Sequence, residues 1–264
     1  MKTVSEPKIT GYLMEDVLLY SKCPMLLFFK KYLGMSSKHH SIQGQVSETI
    51  SSSLSLYLSN IESSNAYSLA SRNLGIETNN ITVDPSVRGS PKKQKILKDL
   101  IDNCYVILER CVDELKNMEI SNVVSPYTYA ITLGRATSKY DDFIGEIDCV
   151  YTRYNKKYLM YFDTNINSPS EDYLDNGITA TINSLAYRMS ECTNDYKIVH
   201  YWINGNSIFE IDRKVGQLNS VKNEIINIKE SMVNCMNNNL WYRSKGFWCA
   251  SCPRNVPCSE MTSI

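Results

Sequence analysis

The chain has 264 residues, 43% of them hydrophobic, enough to bury a sizeable core in one large domain or two small ones. Its 28 Lys and Arg balance 28 Asp and Glu, which excludes a global basic field, so any surface for a polyanion must be local. No stretch is long and apolar enough for a membrane span and the mixed N-terminus does not read as a secretory signal; nine cysteines in such a chain point to thiol or metal chemistry in the cytoplasm and against a disulfide framework.

In chain order, Thr10 to Gly34 reads as helix, with Leu13, Val17, Leu18, Leu26, Leu27 and Phe29 at helical spacing and Pro24 opening a second helix after Cys23. Residues 41–75 read as one helix, its apolar stripe marked by Ile42, Val46, Ile50, Leu54 and Leu58. Asn79 to Pro91 is a loop by its turn residues, and Lys92 to Met118 is a third long helix. The texture then changes to short β-branched and aromatic runs. Strands are predicted at Thr128–Leu133, Phe143–Tyr151 and Lys157–Asp163. A helix from Asp175 to Cys192 follows, then strands at Lys197–Ile203 and Ser207–Ile211 joined by Asn204-Gly205-Asn206, and a last amphipathic helix over 214–240. The expected fold class is α/β. One central mixed sheet is built from residues 128–211 and flanked by helices, in a single domain over 1–264 with a mainly helical section to residue 120, a core over 121–240 and a cysteine-rich tail over 241–264.

That tail carries Cys249, Cys252 and Cys258, a C-x2-C-x5-C pattern whose close first pair can grip a metal or cluster from one turn. A fourth thiolate is needed to close such a site, and Cys23, beside Pro24 at a helix start, is the candidate. Spacing alone leaves zinc, an iron–sulfur cluster and chance clustering open. Cys104, Cys111, Cys149, Cys192 and Cys235 read as small buried hydrophobes.

An early Tyr20-Ser21-Lys22-Cys23-Pro24 and a late C-x2-C-x5-C together resemble the iron-staple nucleases of the RecB-like PD-(D/E)XK superfamily, the CRISPR-associated RecB-like exonucleases and the AddB nuclease domain among them. Four further landmarks stand between them in the family's order. Gly44 to Glu48 resembles its G-x-x-x-H segment, with Glu48 where the metal-binding His stands. Gly145-Glu146-Ile147-Asp148 resembles the strand signature in which Asp148 is a metal ligand. Tyr158 to Asn165 resembles the strand ending in (D/E)-x-K, with Asp163 in the carboxylate position and Asn165 in the lysine slot. Thr181 to Tyr187 resembles the Q-x-x-x-Y helix, Asn183 replacing Gln and Tyr187 retained.

The resemblance implies a restriction-endonuclease-like core, a 4Fe-4S cluster on Cys23, Cys249, Cys252 and Cys258, and Mg2+ or Mn2+ on Glu48, Asp148 and Asp163. The implied activity is hydrolysis of DNA that is single-stranded or has free ends. A neutral amide at Asn165 cannot supply the charge of the family's lysine. Lys156 or Lys157, at the start of the same strand, is the candidate replacement. Arg88, Lys92, Lys93 and Lys95 read either as phosphate contacts or as a solvated helix start, and His39 and His40 as surface residues. Two other readings stand beside the nuclease. One is a catalytically weakened homologue that binds DNA or a protein partner in a replication, recombination or CRISPR-related assembly; the other is a zinc-stabilised protein without a nucleic-acid role.

Overall fold

The structure is a computed structural model that describes residues 11–32, 42–81, 91–133, 142–165, 167–246 and 249. A two-residue strand, β1 (Tyr12–Leu13), leads into α1 (Met14–Lys22). Glu15 and Asp16 in the first turn of α1 and Lys22 in its last complement the helix dipole. The helix stops at Cys23 because a residue before proline is driven to extended backbone, and Pro24 then opens α2 (Pro24–Tyr32) at the one helical position that needs no N–H. Asp16 is buried against α2, where Lys30 meets it at 2.7 Å and Lys31 at 3.4 Å.

The single helix expected over 41–75 is two, α3 (Ile42–Ser59) and α4 (Ala66–Asn79). The break falls at Asn60 to Asn65, where short polar side chains compete for the backbone. Asn60 Nδ2 donates to the Leu56 carbonyl at 2.9 Å and Ser63 hydrogen-bonds to Asn65. Helix α5 (Pro91–Asn117) matches the expected third helix, while the loop expected before it lies largely outside the described residues.

The strands follow as β2 (Ser121–Val124), absent from the sequence reading, then β3 (Tyr127–Thr132), β4 (Asp142–Ile147), β5 (Cys149–Arg153) and β6 (Lys156–Asp163). Next come α6 (Glu171–Asn176), α7 (Ile178–Glu191), β7 (Tyr196–Trp202), β8 (Ser207–Ile211) and α8 (Val215–Asn238). Gly177 divides the helix expected over 175–192, and with no Cβ it lets the Tyr173 carbonyl approach to 2.7 Å of where that atom would stand.

The fold is α/β with mixed sheets and flanking helices, but the expected single sheet is two. One has the order β1-β4-β3; the other, β2-β5-β6-β7-β8, has β6 and β7 parallel and its remaining pairs antiparallel. The run from Phe143 to Tyr151 leaves one sheet and enters the other at Asp148. The chain makes the reverse crossing between β2 and β3, and Ser125 Oγ ties the two crossings together by donating to the Asp148 carbonyl at 2.7 Å.

Alternation along the strands sends side chains to two cores. Leu159, Tyr161 and Ile198 face a core made with α1, α7 and α8; Tyr158, Met160, Val199 and Tyr201 face a second made with α3, α4 and α5. A third, small cluster gathers Cys23, Met25 and Phe29 with Trp241, whose ring lies 5.4 Å from Phe28 and 5.5 Å from Tyr32. The start of the tail is thereby docked on α2, beside the first cysteine. No helix among the described residues is long and apolar enough to cross a membrane.

Candidate active site

On the α1 and α7 side of the larger sheet, a cavity of about 630 Å3 opens at the C-terminal ends of β6 and β7. Asp148, Asp163 and Asn165 all line it. The pleat explains the convergence: Leu159, Tyr161 and Asp163 alternate onto one face of β6, and His200, register partner of Tyr161 on β7, points the same way. Asp148 arrives from the bend between β4 and β5.

The two carboxylates have different surroundings. Asp163 is 5% exposed; burial alone would raise its pKa, but a 2.8 Å contact from its Oδ2 to His200 Nε2 and a 2.8 Å bond from the Asn165 backbone N–H to its Oδ1 hold the carboxyl below its ordinary value. Tyr173 packs edge-on against His200, ring centres 5.6 Å apart. Burial pushes Asp148 up to about 6, with help from nearby Glu146 and against a 2.8 Å bond from the Phe162 N–H to its Oδ2 and the proximity of His200. Two carboxyls whose environments drive their pKa values apart are what acid–base chemistry near neutral pH requires.

Asn165 is exposed, and its backbone is fixed: its carbonyl accepts from Trp202 Nε1 at 2.7 Å and Asn204 Nδ2 at 3.0 Å. The remaining sequence candidates lie elsewhere. Glu48 is exposed on α3, the helix of the opposite core, and does not line the cavity, which corrects its expected place beside the two aspartates. Lys156 and Lys157 stand at the far end of β6, six or more residues from Asp163 and so roughly 20 Å away at about 3.3 Å per strand residue, and neither replaces the missing lysine at the cavity.

Asn183 is buried, accepting from Tyr129 Oη at 2.7 Å and donating to the Glu146 carbonyl at 3.2 Å; it braces β3 and β4 behind the cavity. Tyr187 is core, its ring 5.5 Å from those of Tyr127 and Tyr196. His39, His40, Arg88, Cys252 and Cys258 lie outside the described residues, as do the side chains of Lys92 and Lys93, while Lys95 is exposed. Cys104, Cys111, Cys149 and Cys235 are buried as expected, whereas Cys192 is exposed, capping α7 in left-handed conformation at φ 51°.

Four cavity residues escaped the sequence reading: His200, Tyr173, Lys22 and Arg213. His200 had a signal, a titratable ring in the buried strand Ile198-Val199-His200-Tyr201. Lys22 hid beside Cys23 in the motif read for its thiol. Arg213 is structural, with Nε on Thr181 Oγ1 at 2.7 Å and Nη2 on the Leu174 carbonyl at 2.7 Å.

Among the described residues no group of three or more His, Cys, Asp or Glu is placed to hold a metal ion. Asp148 and Asp163 are the two carboxylate residues that line the cavity.

No family model matches the chain and no curated protein matches it. Solved structures do match. One, titled "Crystal structure of SSO0001", superposes with a TM-score of 0.41 at 10% identity, covering 65% of this chain and 78% of that one.

Proposed function

We propose that the protein is a cytoplasmic, metal-dependent deoxyribonuclease of the RecB-like PD-(D/E)XK type that acts on single-stranded or end-containing DNA. The observation that carries the reading is the convergence of Asp148 and Asp163, fifteen residues apart in sequence, on one cavity beside Asn165. A divalent cation bound by these carboxylates would supply Lewis acidity, polarising the scissile phosphate and acidifying a water. Asp163, clasped by His200 and the Asn165 N–H, stays ionised as a fixed anionic donor. Asp148, pushed up to about 6 by burial, is the carboxylate with most to gain from a bound cation, whose charge would offset the desolvation and hold it ionised.

The expected outcome is that labelled single-stranded DNA is cleaved in Mg2+ or Mn2+, and that Asp148→Ala and Asp163→Ala each lower the rate by at least roughly a hundredfold. Cleavage undiminished in both variants rejects this site. The staple is a second part of the proposal: Cys23, at the end of α1 beside the docked Trp241, joins Cys249, Cys252 and Cys258 around a 4Fe-4S cluster. Protein purified without oxygen is then brown, and Cys23→Ser bleaches it; colourless protein carrying zinc removes the cluster.

One observation favours a second reading, a weakened homologue that binds DNA or a protein partner as a scaffold. Asn165 leaves the lysine slot uncharged, and both Asp163 oxygens are already engaged. Metal-dependent DNA binding without cleavage in the same assay supports it.

A further inference from the structure

We propose that Lys22, the last residue of α1, supplies the positive charge at the scissile phosphate that Asn165 cannot. The inference rests on the nuclease reading and names a catalytic residue within it. Lys22 lines the same cavity as Asp148, Asp163 and Asn165, reaching it from the helix across from the strand ends.

The other basic side chains at this cavity already have partners. Arg213 spends Nε on Thr181, Nη1 on the Asp212 carbonyl at 3.2 Å and Nη2 on the Leu174 carbonyl. His200 is committed to Asp163. On the neighbouring helix, Lys30 and Lys31 are held by Asp16. Lys22 is exposed, with no hydrogen bond or ion pair among the described residues. It is thus a basic residue in the cavity wall with no partner among the described residues.

The base of this side chain is well placed. Met14, Val17 and Tyr20 bury the other face of α1, and Tyr20 Oη hydrogen-bonds to Ser231 Oγ on α8 at 2.9 Å. At its start, β1 pairs with β4, the strand that runs into Asp148, with Tyr12 opposite Phe143. The helix carrying Lys22 and the strand delivering Asp148 are therefore parts of one packed unit. A lysine on such a base brings a compact, mobile charge on a long stem, suited to a phosphoryl oxygen. The reaction is hydrolysis. A water oxygen bonds to phosphorus and its proton passes to solvent, while the P–O bond to the leaving sugar oxygen breaks and that oxygen takes a proton from solvent; Lys22 meets the charge that builds on the non-bridging oxygens without giving up a proton.

The test compares wild type, Lys22→Ala, Lys22→Arg and the double variant Lys22→Ala with Asn165→Lys on a labelled single-stranded oligonucleotide in Mn2+. Expected are a fall of about a hundredfold in kcat for Lys22→Ala, with KM changed only a few-fold, activity within about tenfold of wild type for Lys22→Arg, and recovery of at least tenfold when Asn165→Lys is added. In the Asp148→Ala background, where no cleavage intervenes, Lys22→Ala should weaken oligonucleotide binding by anisotropy and reduce its log–log salt slope by about 0.7, one phosphate contact on a single strand. Because the side chain is exposed, its removal leaves Tm unchanged.

Wild-type cleavage that survives Lys22→Ala, with an unaltered salt slope, overturns the role of Lys22 and leaves the nuclease reading standing. Absence of cleavage by wild type overturns both.

Discussion

Burial makes the ionised form of Asp148 costly. Its folded pKa, about 6, lies above the ordinary 3.8, so the fold prefers the protonated form. The stability from that preference is fully present below 3.8 and is lost as pH rises through about 6. Asp163 runs the other way: its lowered pKa contributes stability above the ordinary value, lost as pH falls through the folded one. Asp148→Asn keeps an oxygen for the Phe162 N–H and removes the charge. It is expected to stabilise the protein by about 1–3 kcal/mol at about pH 8, with the gain vanishing below about pH 4, as read by denaturant unfolding at the two pH values. Equal stability of variant and wild type at both would show that Asp148 is not desolvated.

At the scale of the element, the strand signature has a packing meaning. Gly145 pairs with Tyr129 across β3 and β4, and the Tyr129 ring lies over the glycine so closely that a Cβ there would stand 2.3 Å from its hydroxyl. That placement carries Tyr129 Oη to Asn183 and so braces α7 against the bend at Asp148. Gly145→Ala forces the ring aside and breaks this bond; the expected loss is about 2–3 kcal/mol of stability, measured by chemical denaturation, and a change below about 0.5 kcal/mol would contradict the account. This element also shows how far sequence reading reached. The β-branched and aromatic run of Phe143 to Tyr151 announced a strand, and Asp148 stood out as an acid within it. The switch between sheets at Asp148 could not be read, because a strand that bends keeps its period of two. The breaks at Asn60 to Asn65 and at Gly177 did carry signals, in polar turn residues and a lone glycine, which the helical periodicity on either side outweighed. Strand β2, with Ser121 and Asn122 before two valines, is too short and polar to declare itself.

Across the whole molecule, the first helices pack with the last described element. Helix α1 packs on α8, Tyr20 reaches Ser231 across 211 positions of sequence, and Trp241 settles on α2 beside Cys23. The same packing sets α1 over the strand ends where Asp148 and Asp163 emerge, so the segment read for its cysteine also walls the cavity. Glu48 was misplaced for a reason at this scale. Its spacing from Gly44 fits a motif, but which face of the sheet receives α3 is decided by the apolar stripe of Val46, Ile50 and Leu54, and that stripe packs with α4 and α5 on the side away from the cavity. Lys22 was illegible for the complementary reason, since it becomes a site residue only through elements brought to it from elsewhere in the chain, and His200, whose signal was a titratable ring in a buried strand, needed Asp163 on the neighbouring strand to give it a role.

The central claim is that Asp148 and Asp163 hold one divalent cation together. Locating Mn2+ by anomalous scattering in crystals of the protein tests it most directly. The expected result is a single peak in the cavity within about 2.0–2.6 Å of an oxygen from each carboxylate, lost in Asp148→Ala. A cavity without a peak, or Mn2+ bound at Glu48 instead, would contradict the account.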